Sequence, residues 1–530
     1  MTPRTAIARI ARAIGEELEC GPGPSEGAWA AGEMLAETGA TAEIAACLLA
    51  EARRKHPNDR LIHGCAFLLE RALDVLRLRA NGGNTDAGRA IAAVRADIAA
   101  ALAKQGAAPG TLMLLARAFA QAELDPGEAL QQAVLNAVEA RSGAMPPEPE
   151  QTNPGNELEA IAAALGDPFA IYAELAATGA AFPPEHRAAM AAALAMSDNA
   201  AVREAALGFA CAADRATSAA ALHALARPPP GHPVPSRLVE RLVRLRPWLA
   251  EGRRAELDAA VRALRPTVMP PAPAPRPEIR RILSTLCDGA GAQSLFGLAR
   301  QGRRFALAAV LVKTGAGITD AWVAEGLSRT EAEAMIGQMT AAGIETTEIP
   351  IALLERRLAD ALAANLARDV PPPFGLLQVA ETLGLGPLHP EAVPPLVLAT
   401  DLLAGLPAER TDAAAALAAH RASAGWEQDF SVLESWFEAG EEVEALLHPL
   451  RTRKQRIEAV LTQLLPERRG FWAERCAWMA AVLRESAEAE NDAWVDFALV
   501  ARDLAGERPL DTMPLAARIA AATVQAFQQH

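Results

Sequence analysis

Residues 305–317 read FALAAVLVKTGAG, an apolar run followed by a glycine-rich segment. The fold class turns on this stretch, because an apolar run of eight residues fits either a buried helix or a buried strand. Alanine and leucine dominate Phe305–Val312, and only Val310 and Val312 are β-branched, so we predict a helix. A second short candidate strand is Ile344–Ile349. If both runs are strands, a small α/β insert interrupts the helices.

The rest of the chain is patterned for helices. It is rich in alanine, has one tyrosine, and carries 38 prolines and 37 glycines that divide it into stretches of helix length. Alanine favours the helix most, whereas proline and glycine break it. Apolar residues recur at helical spacing, as in Leu238, Leu242, Leu245 and Leu249. We therefore predict an all-α fold of stacked helical hairpins, an irregular α-solenoid with a compact helical C-terminal unit.

Proline-rich runs suggest where the chain divides. Proline removes a backbone donor and blocks helix formation, so we predict linkers at 142–156 and 266–277. The shorter run 228–235 is predicted to be a loop between helices of one unit. The resulting domains are 1–141, helical and repeat-like; 157–265, helical with an arginine-rich end; and 278–530, helical with a tryptophan cluster.

Charge and cysteine content narrow the class of protein. The chain has 51 Lys+Arg against 65 Asp+Glu, a net charge of −14, which disfavours a general nucleic-acid or anionic-membrane binder. Its six cysteines include no C-x-x-C pair and indicate reduced, buried thiols. No signal peptide or membrane-spanning run is recognisable, so we predict a cytoplasmic protein, and its composition is typical of high-GC bacterial coding.

The N-terminal part resembles a tetratricopeptide repeat. Residues 26–59 have the length of one unit, with a tryptophan opening the first helix, small and large residues at the expected places of the second, and a closing proline: Trp29, Ala45, Leu49, Ala52 and Pro57. Positions 32, 33 and 36 depart from the family pattern. A second echo covers 112–138, while the long helix predicted for 58–80 does not fit a standard repeat.

This resemblance covers at most the first 140 residues. It implies two-helix hairpins and a concave groove that binds a peptide or protein. Ordinary packing of helical hairpins is the alternative, because generic hairpins can imitate degenerate motifs.

Two tetrapeptides recur in the C-terminal half. Ala308–Leu311 and Asp320–Val323 reappear, with the same spacing, as Ala480–Leu483 and Asp492–Val495. We interpret this echo as a duplicated helical hairpin. In that interpretation, the aspartate before each tryptophan is a helix N-cap.

Catalytic motifs are absent from the sequence. It contains no H-E-x-x-H, no G-x-S-x-G, no P-loop and no G-x-G-x-x-G, and its nine histidines lack metal-ligand spacing. We predict no catalytic residue, no metal site and no cofactor. The loop Lys313–Gly317 could bind an anion through backbone N–H groups ahead of a helix, but a turn between helices is the favoured interpretation.

Basic and aromatic residues each concentrate in one region. Between Ser236 and Arg281, eleven arginines face five acidic residues, and we expect them to contact this chain's own acids or an acidic protein rather than nucleic acid. Aromatic residues concentrate in 426–497, which favours an aromatic core over a partner groove. Six residues are candidates for partner or anion binding: Arg303, Arg304, Lys313, Asp320, Trp322 and Trp494.

Together these patterns favour a cytoplasmic helical-repeat scaffold or adaptor that binds protein partners without catalysis. Two alternatives stay open. The first is an enzyme or small-ligand-binding protein with its site in 278–530, which a deep pocket with convergent polar groups would favour. The second is a nucleic-acid-associated protein that uses the arginines of 236–304, which a contiguous positive face would favour. Whether copies of the chain associate is also left open.

Overall fold

The computed structural model describes residues 3–20, 24–81, 84–122, 124–144, 162–180, 182–228, 234–265, 277–341, 344–486 and 492–529. The chain forms two compact units, Met1–His232 and Pro233–His530. Their boundary lies inside the predicted domain 157–265, at the proline-rich run that we expected to be a loop within one unit. Of the two predicted linkers, 145–156 and 266–276 fall outside the described residues.

The N-terminal unit is helical throughout its described residues. Its helices are α1 (Pro3–Cys20), α2 (Glu26–Glu37), α3 (Thr41–Ala52), α4 (Asp59–Asn81), α5 (Thr85–Gln105), α6 (Pro109–Gln121), α7 (Glu128–Ala144), α8 (Pro168–Gly179), α9 (Pro184–Ala195), α10 (Ala200–Ala206) and α11 (Arg215–Leu225). The helix predicted for 58–80 is confirmed as α4. At α8, Asp167 caps the helix by accepting a hydrogen bond from the Ala170 N–H, and Pro168 occupies its first turn.

Helices α1 and α4 cross with their backbones in contact. A Cβ atom added to Gly64 would lie 1.8 Å from the Ala11 carbonyl oxygen, and one added to Gly15 would lie 1.9 Å from the Arg60 carbonyl oxygen. Neither space admits a side chain, so glycine is required at both positions. The close crossing brings Leu68 into a core that also contains the fully buried Leu115.

The C-terminal unit combines helices with a sheet. Its elements are α12 (Ser236–Leu245), α13 (Glu251–Leu264), β1 (Glu278–Thr285), β2 (Ala292–Gln301), β3 (Arg304–Lys313), β4 (Gly317–Leu327), α14 (Arg329–Ala341), β5 (Thr346–Glu348), α15 (Ile351–Ala367), α16 (Gly375–Thr382), α17 (Pro395–Leu403), α18 (Ala413–Ala422), α19 (Trp426–Asp429), α20 (Glu441–Leu447), α21 (Arg453–Ala459), α22 (Leu465–Arg484), α23 (Ala493–Ala505) and α24 (Pro514–Gln529).

The all-α prediction is wrong. A five-stranded sheet in the order β4-β3-β2-β1-β5 occupies residues 278–348, and each neighbouring pair of strands is antiparallel. Phe305–Val312, predicted to be a helix, lies in β3, and the candidate strand Ile344–Ile349 contains β5. The α/β insert that we left open is therefore present, with more strands than the two candidates.

The sequence pattern does not indicate the sheet, because its central strands are buried on both faces. Residues 306–310 of β3 are all buried, so β3 shows no alternation of apolar and polar residues. Met335 and Ile336 of α14 pack on one face, against Phe296 and Leu307. On the other face, Leu383, which follows α16, fills the space above Gly297, where an added Cβ would lie 2.6 Å from the leucine methyl groups.

The tryptophans of the C-terminal helices form a core, as predicted from their clustering. Trp436, Trp472 and Trp478 are almost fully buried, and Trp426 stacks on Phe497 with ring centroids 3.7 Å apart. A π-helical turn, Val460–Leu464, joins α21 to α22 just before Pro466. Proline has no N–H to donate and its ring clashes with the preceding turn, which accounts for the widened turn.

Identical tetrapeptides adopt different structures in the two copies of the internal echo. Ala308–Leu311 lies in β3, whereas Ala480–Leu483 lies in α22. The duplicated helical hairpin is therefore wrong. Asp320 lies in β4, and Asp492 precedes α23 without a side-chain capping bond and instead pairs with Arg410 at 2.7 Å.

Side-chain hydrogen bonds attach α12 and the turn before α13 to the rest of this unit. The Arg241 guanidinium donates two hydrogen bonds of 2.8 Å to the Glu381 carboxylate, and Arg237 donates a third at 2.7 Å. Trp248 Nε1 donates to the Leu388 carbonyl oxygen at 2.9 Å. Burial alone would raise the pKa of Glu381, but the arginine hydrogen bonds outweigh it and hold the pKa below its usual range.

Replacing Glu381 with alanine tests this attachment. Since Arg241 would lose two charge-assisted hydrogen bonds at a buried position, we expect the variant to lose about 3–5 kcal/mol of unfolding free energy at neutral pH. A carboxyl group with a lowered pKa stabilises the fold above the unfolded value of about 4.5, and this stability is lost as the pH falls through the folded pKa. Urea denaturation at pH 7 and pH 3 should therefore show a smaller difference between variant and wild type at pH 3.

Glycine substitutions test the crossing of α1 and α4. Gly64→Ala should destabilise the N-terminal unit by about 1–3 kcal/mol, because the new methyl group meets the Ala11 backbone. Gly88→Ala in α5 is the matched control, since nothing lies within 4 Å of its added Cβ. We expect the control to be neutral or stabilising. Hydrogen–deuterium exchange in peptides of α1 and α4 measures the effect, and equal exchange in the two variants would contradict it.

Candidate functional site

A groove of about 420 Å³ lies between α1, α3 and α5 of the N-terminal unit. Its floor is made of small or apolar side chains, among them Ala45, Leu49 and Ile98. On α3, the lining residues follow at helical spacing, so one face of the helix looks into the groove: Ala42, Ala45, Ala46 and Leu49. Alanines on this face leave a concavity that larger side chains would fill. The volume is within the usual range of ligand pockets, roughly 300–1,000 Å³.

Charged side chains line the rim of this groove. Arg53 is fixed in place by donating hydrogen bonds to the carbonyl oxygens of Ala101, at 3.0 Å, and Gly106, at 3.1 Å. Arg4 and Lys104 are exposed and form no ion pair within the described residues. The two acids of the lining are Asp97, which is exposed, and Glu43, which is half-buried. The rim therefore offers an excess of positive charge to an occupant.

The six predicted candidate residues do not form one site. Arg303 and Arg304 lie at the turn between β2 and β3, where Gly302 has the positive φ of 62° that the first position of a type II′ turn favours. Lys313 lies at the other end of β3, about 30 Å away for a ten-residue strand. The loop that follows Lys313 connects two strands, so the predicted turn between helices is instead a β-hairpin turn.

The remaining candidates are also distributed. Asp320 and Trp322 share a face of β4, opposite Leu311 and Ala309 of β3, and Trp322 is 40% exposed. Trp494 begins α23 and lies against the helical core, with the Arg484 guanidinium 5.3 Å from its ring centroid.

A buried polar cluster that no sequence motif predicts lies close to Lys313. We call it the arginine cluster: Gln293, Arg357, Asp360, Glu474 and Arg475. Arg357 Nε donates to Gln293 Oε1 at 2.8 Å, and its Nη1 donates to Asp360 Oδ2 at 2.8 Å and lies 3.6 Å from Glu474 Oε1. Burial raises the pKa of Glu474, an effect that Arg357 opposes. Burial likewise lowers the pKa of Lys313.

Arg475 is bound mainly by aromatic rings. Its guanidinium carbon lies 3.6 Å from the Phe471 ring centroid and 4.2 Å from that of Trp472. Its Nε and Nη1 atoms are buried without a hydrogen-bond acceptor, and burial lowers the pKa of Arg475 to about 10. Because Arg475 is only 1% exposed, these donors are closed to solvent. The cluster therefore joins the sheet to the helices and is not an open ligand site.

No sequence signal could have assembled this cluster. Arg357 and Arg475 are far apart along the chain, and neither belongs to a motif. The one hint is that each arginine lies in a helix among apolar residues, where an unpaired charge would be costly.

Most arginines of the arginine-rich stretch, residues 236–281, form contacts within their own unit. Arg246 pairs with Asp258 through two hydrogen bonds, of 2.7 and 2.9 Å, and Arg280 pairs with Glu278 at 2.9 Å. Arg254 donates to the carbonyl oxygens of Leu249 and Pro247. Together with the contacts to Glu381 described above, these interactions pair the arginines with acids and carbonyl oxygens of the same unit.

The described residues contain neither a candidate metal site nor a candidate membrane-spanning helix. They contain no group of three or more His, Cys, Asp or Glu side chains placed to hold a metal ion. None of their helices combines the length and the apolar character needed to cross a membrane.

Two parts of the chain are similar to known domains. Residues 397–528 match the Y4lR C-terminal helical domain. This match extends from α17 to α24, the helices that contain the tryptophan core. Residues 183–267 match the Y4lR second domain, which here includes α9–α11 of the N-terminal unit and α12–α13 of the C-terminal unit.

Part of the chain is similar in sequence to a curated protein. The chain is 28% identical over 254 residues to the uncharacterized protein y4lR of Sinorhizobium fredii (strain NBRC 101917 / NGR234). The matched region covers 47% of each protein, so the chain spans about half the length of the curated relative it matches. No solved structure matches. None of these similarities names an activity.

Two substitutions separate the roles of the buried arginines. Arg357→Met should cost about 3–5 kcal/mol of unfolding free energy, because it removes the partner of Gln293, Asp360 and Glu474. Arg475→Met should change it by less than about 1 kcal/mol, since methionine keeps the ring contacts and removes two donors that have no acceptor.

Denaturation followed by tryptophan fluorescence measures both, because every tryptophan except Trp29 lies in the C-terminal unit. A loss at Arg475→Met as large as that at Arg357→Met would contradict the distinction.

Proposed function

We propose that this protein is a cytoplasmic scaffold or adaptor without catalytic activity, and that its N-terminal helical unit binds a segment of a protein partner in the groove between α1, α3 and α5. The observation that carries the proposal is the combination of an apolar floor with unpaired cations at the rim. Small apolar side chains accept the body of a peptide, and the rim selects its charge.

The charges of the rim favour an acidic segment. Arg4 and Lys104 are exposed and free of ion pairs within the described chain, and Arg53 already donates to two carbonyl oxygens. Carboxylates on a partner would meet Arg4 and Lys104 at opposite walls of the groove, on α1 and α5. The tetratricopeptide resemblance of residues 26–59 supports the same use of the unit, since α2 and α3 fold as a helical pair in that segment.

The two alternatives have weaker support. An enzyme or ligand site in 278–530 would draw its residues from Lys313, Asp320, Arg303, Arg304 and the tryptophan cluster. Of these, Arg303 and Arg304 lie at one end of β3, Lys313 lies at the other end, and Asp320 lies on β4. A nucleic-acid surface needs a contiguous positive face. Most arginines of the stretch 236–304 instead pair with acids or carbonyl groups of their own unit.

Charge reversal at the rim tests the proposal. The double variant Arg4→Glu/Lys104→Glu should bind the partner about tenfold more weakly than wild type at low salt, because two exposed ion pairs become repulsive contacts. Arg9→Glu/Lys55→Glu is the matched control, with the same change of net charge at exposed positions that do not line the groove. We expect the control to bind as wild type does.

The partner is identified first, with a photo-crosslinking amino acid at Ala46 in the full-length protein and cytosol of the source organism. An acidic peptide from the cross-linked partner then serves as the titrant for calorimetry. Equal affinity of the rim variant and its control would exclude the groove as the binding surface. Retention of a small molecule, with no protein cross-linked at Ala46, would favour the ligand-binding alternative.

A further inference from the structure

One buried cation of the C-terminal unit lacks an acceptor for its hydrogen bonds. Arg475, on α22, is 1% exposed, and its Nε and Nη1 atoms have no acceptor within the described residues. The rings of Phe471 and Trp472 contact its guanidinium group. Aromatic rings attract a cation, but they leave the N–H groups in the guanidinium plane without an acceptor. A buried donor without an acceptor is costly, so a group that accepts these bonds would stabilise the fold.

The Nε atom borders a space that a glycine leaves open. Gly291 ends the turn between β1 and β2, and a Cβ atom added to it would lie 3.3 Å from Arg475 Nε and 3.0 Å from Thr314 Oγ1. Thr314 begins the turn between β3 and β4 and is 7% exposed. Its N–H donates to the Gly291 carbonyl oxygen at 2.9 Å, which holds the two turns together. A guanidinium donor and a hydroxyl group that can rotate to donate therefore border the same space.

Carboxylates near Arg475 are bound to other groups. Glu438 accepts a hydrogen bond from Trp472 Nε1 at 2.8 Å, and Asp288 accepts one from the Ala292 N–H at 2.7 Å. Burial lowers the pKa of Arg475, and these two acids oppose that effect at a distance. Neither carboxylate is within hydrogen-bond distance of Nε or Nη1. The acceptor that Arg475 lacks must therefore come from outside the chain.

The other charges in this region offset one another. Glu474 lies 3.6 Å from Arg357 Nη1 and is one of the acids that this second arginine holds. Burial, and to a smaller extent Arg475, lower the pKa of Lys313, so the lysine is within electrostatic reach of the guanidinium group. A negative charge beside Arg475 would therefore be attracted by two cations.

We propose that the space beside Gly291 is a binding site for a small monovalent anion of the size of chloride, held by Arg475 Nε and the Thr314 hydroxyl group. An anion supplies both an acceptor and a counter-charge, whereas a water molecule supplies only the acceptor. The space is that of one missing methyl group, which chloride resembles in size and which sulfate and phosphate exceed. Thr314 adjusts to admit the ion, since an added Cβ would lie 2.8 Å from its own Cβ.

The anion enters this closed site as the unit folds. Binding to the folded state alone adds to the unfolding free energy, so the stability of the unit depends on the anion concentration even where the folded protein excludes solvent. The anion would stabilise the contact between the two turns at this end of the sheet and α22.

The test compares chloride with fluoride. The full-length protein is unfolded with urea in sodium chloride and in sodium fluoride at the same ionic strength, and tryptophan fluorescence follows the C-terminal unit. Fluoride is the smaller ion and loses more hydration energy on burial, so it should not bind. For a dissociation constant of about 0.1 M, chloride at about 0.5 M should lower the unfolding equilibrium constant about sixfold. Equal unfolding in the two salts would overturn the proposal.

Two glycine variants separate binding at this site from general effects of the salt. Gly291→Ala fills the space, so its unfolding should be the same in both salts. Gly315→Ala is the matched control, because Gly315 lies in the neighbouring turn with a φ of 72°, close to the 76° of Gly291, and nothing lies within 4 Å of its added Cβ. Both variants strain the backbone in the same way, but only the first occupies the site. A chloride effect of equal size in the two variants would contradict the location of the site.

Removal of the guanidinium group gives a second comparison. In fluoride, Arg475→Met should show the small change in stability given above. Chloride should then stabilise the wild type and leave the variant unchanged, because the variant has lost the main donor. Equal stabilisation of both proteins by chloride would exclude Arg475 as the ligand of the anion.

Diffraction locates the anion without any variant, and this measurement stays decisive if Gly291→Ala does not fold. Crystals of the wild-type protein grown in sodium bromide should show one anomalous peak within hydrogen-bond distance of Arg475 Nε. A water molecule at this position, with no anomalous peak, would overturn the proposal.

Discussion

The C-terminal unit depends on a guanidinium group buried where the sheet meets the helices. Arg357, on α15, is 2% exposed and reaches Gln293 of β2, Asp360 of its own helix and Glu474 of α22. Gln293 in turn donates to Ser284 of β1 at 2.9 Å, so one polar chain runs from two strands to two helices. Removing a charge from water costs several kcal/mol, and the contacts of Nε and Nη1 offset part of this cost, while Nη2 of Arg357 is buried without a hydrogen-bond partner in the described residues. These contacts tie the two strands to the two helices.

Helix positions in the N-terminal unit could be predicted from the sequence, whereas the sheet could not. Local signals such as the proline after Asp167 act within one turn, so they appear in the sequence itself. Strand β3 has no such signal. Its residues 308–311 are AAVL, and the same four residues form helix at 480–483. The difference comes from strands β2 and β4 on either side, and that pairing is set by the fold and not by the tetrapeptide.

The candidate sites could also be predicted only in part from the sequence. The resemblance at residues 26–59 predicted a groove, but the cations at its rim, Arg4 and Lys104, come from α1 and α5, outside that segment. Arg303 and Lys313 illustrate the opposite error. They are close in sequence, yet a strand separates them by its full length, whereas one helical face would have kept them closer together.

Alanine has two physical effects in this chain. One is seen in the N-terminal unit and the other in the sheet of the C-terminal unit. In the N-terminal unit it favours helix, and its small side chain leaves a concavity wherever several alanines share one face, as on α3. In the sheet the same small side chain allows close cover, since Ala306, Ala308 and Ala309 are buried beneath helices. A chain so rich in alanine has few large side chains with which to specify a surface. We expect the specificity of the proposed binding to come from the charged residues at the edge of the groove, where Arg4, Lys104 and Glu43 differ from the surrounding alanines in charge and reach.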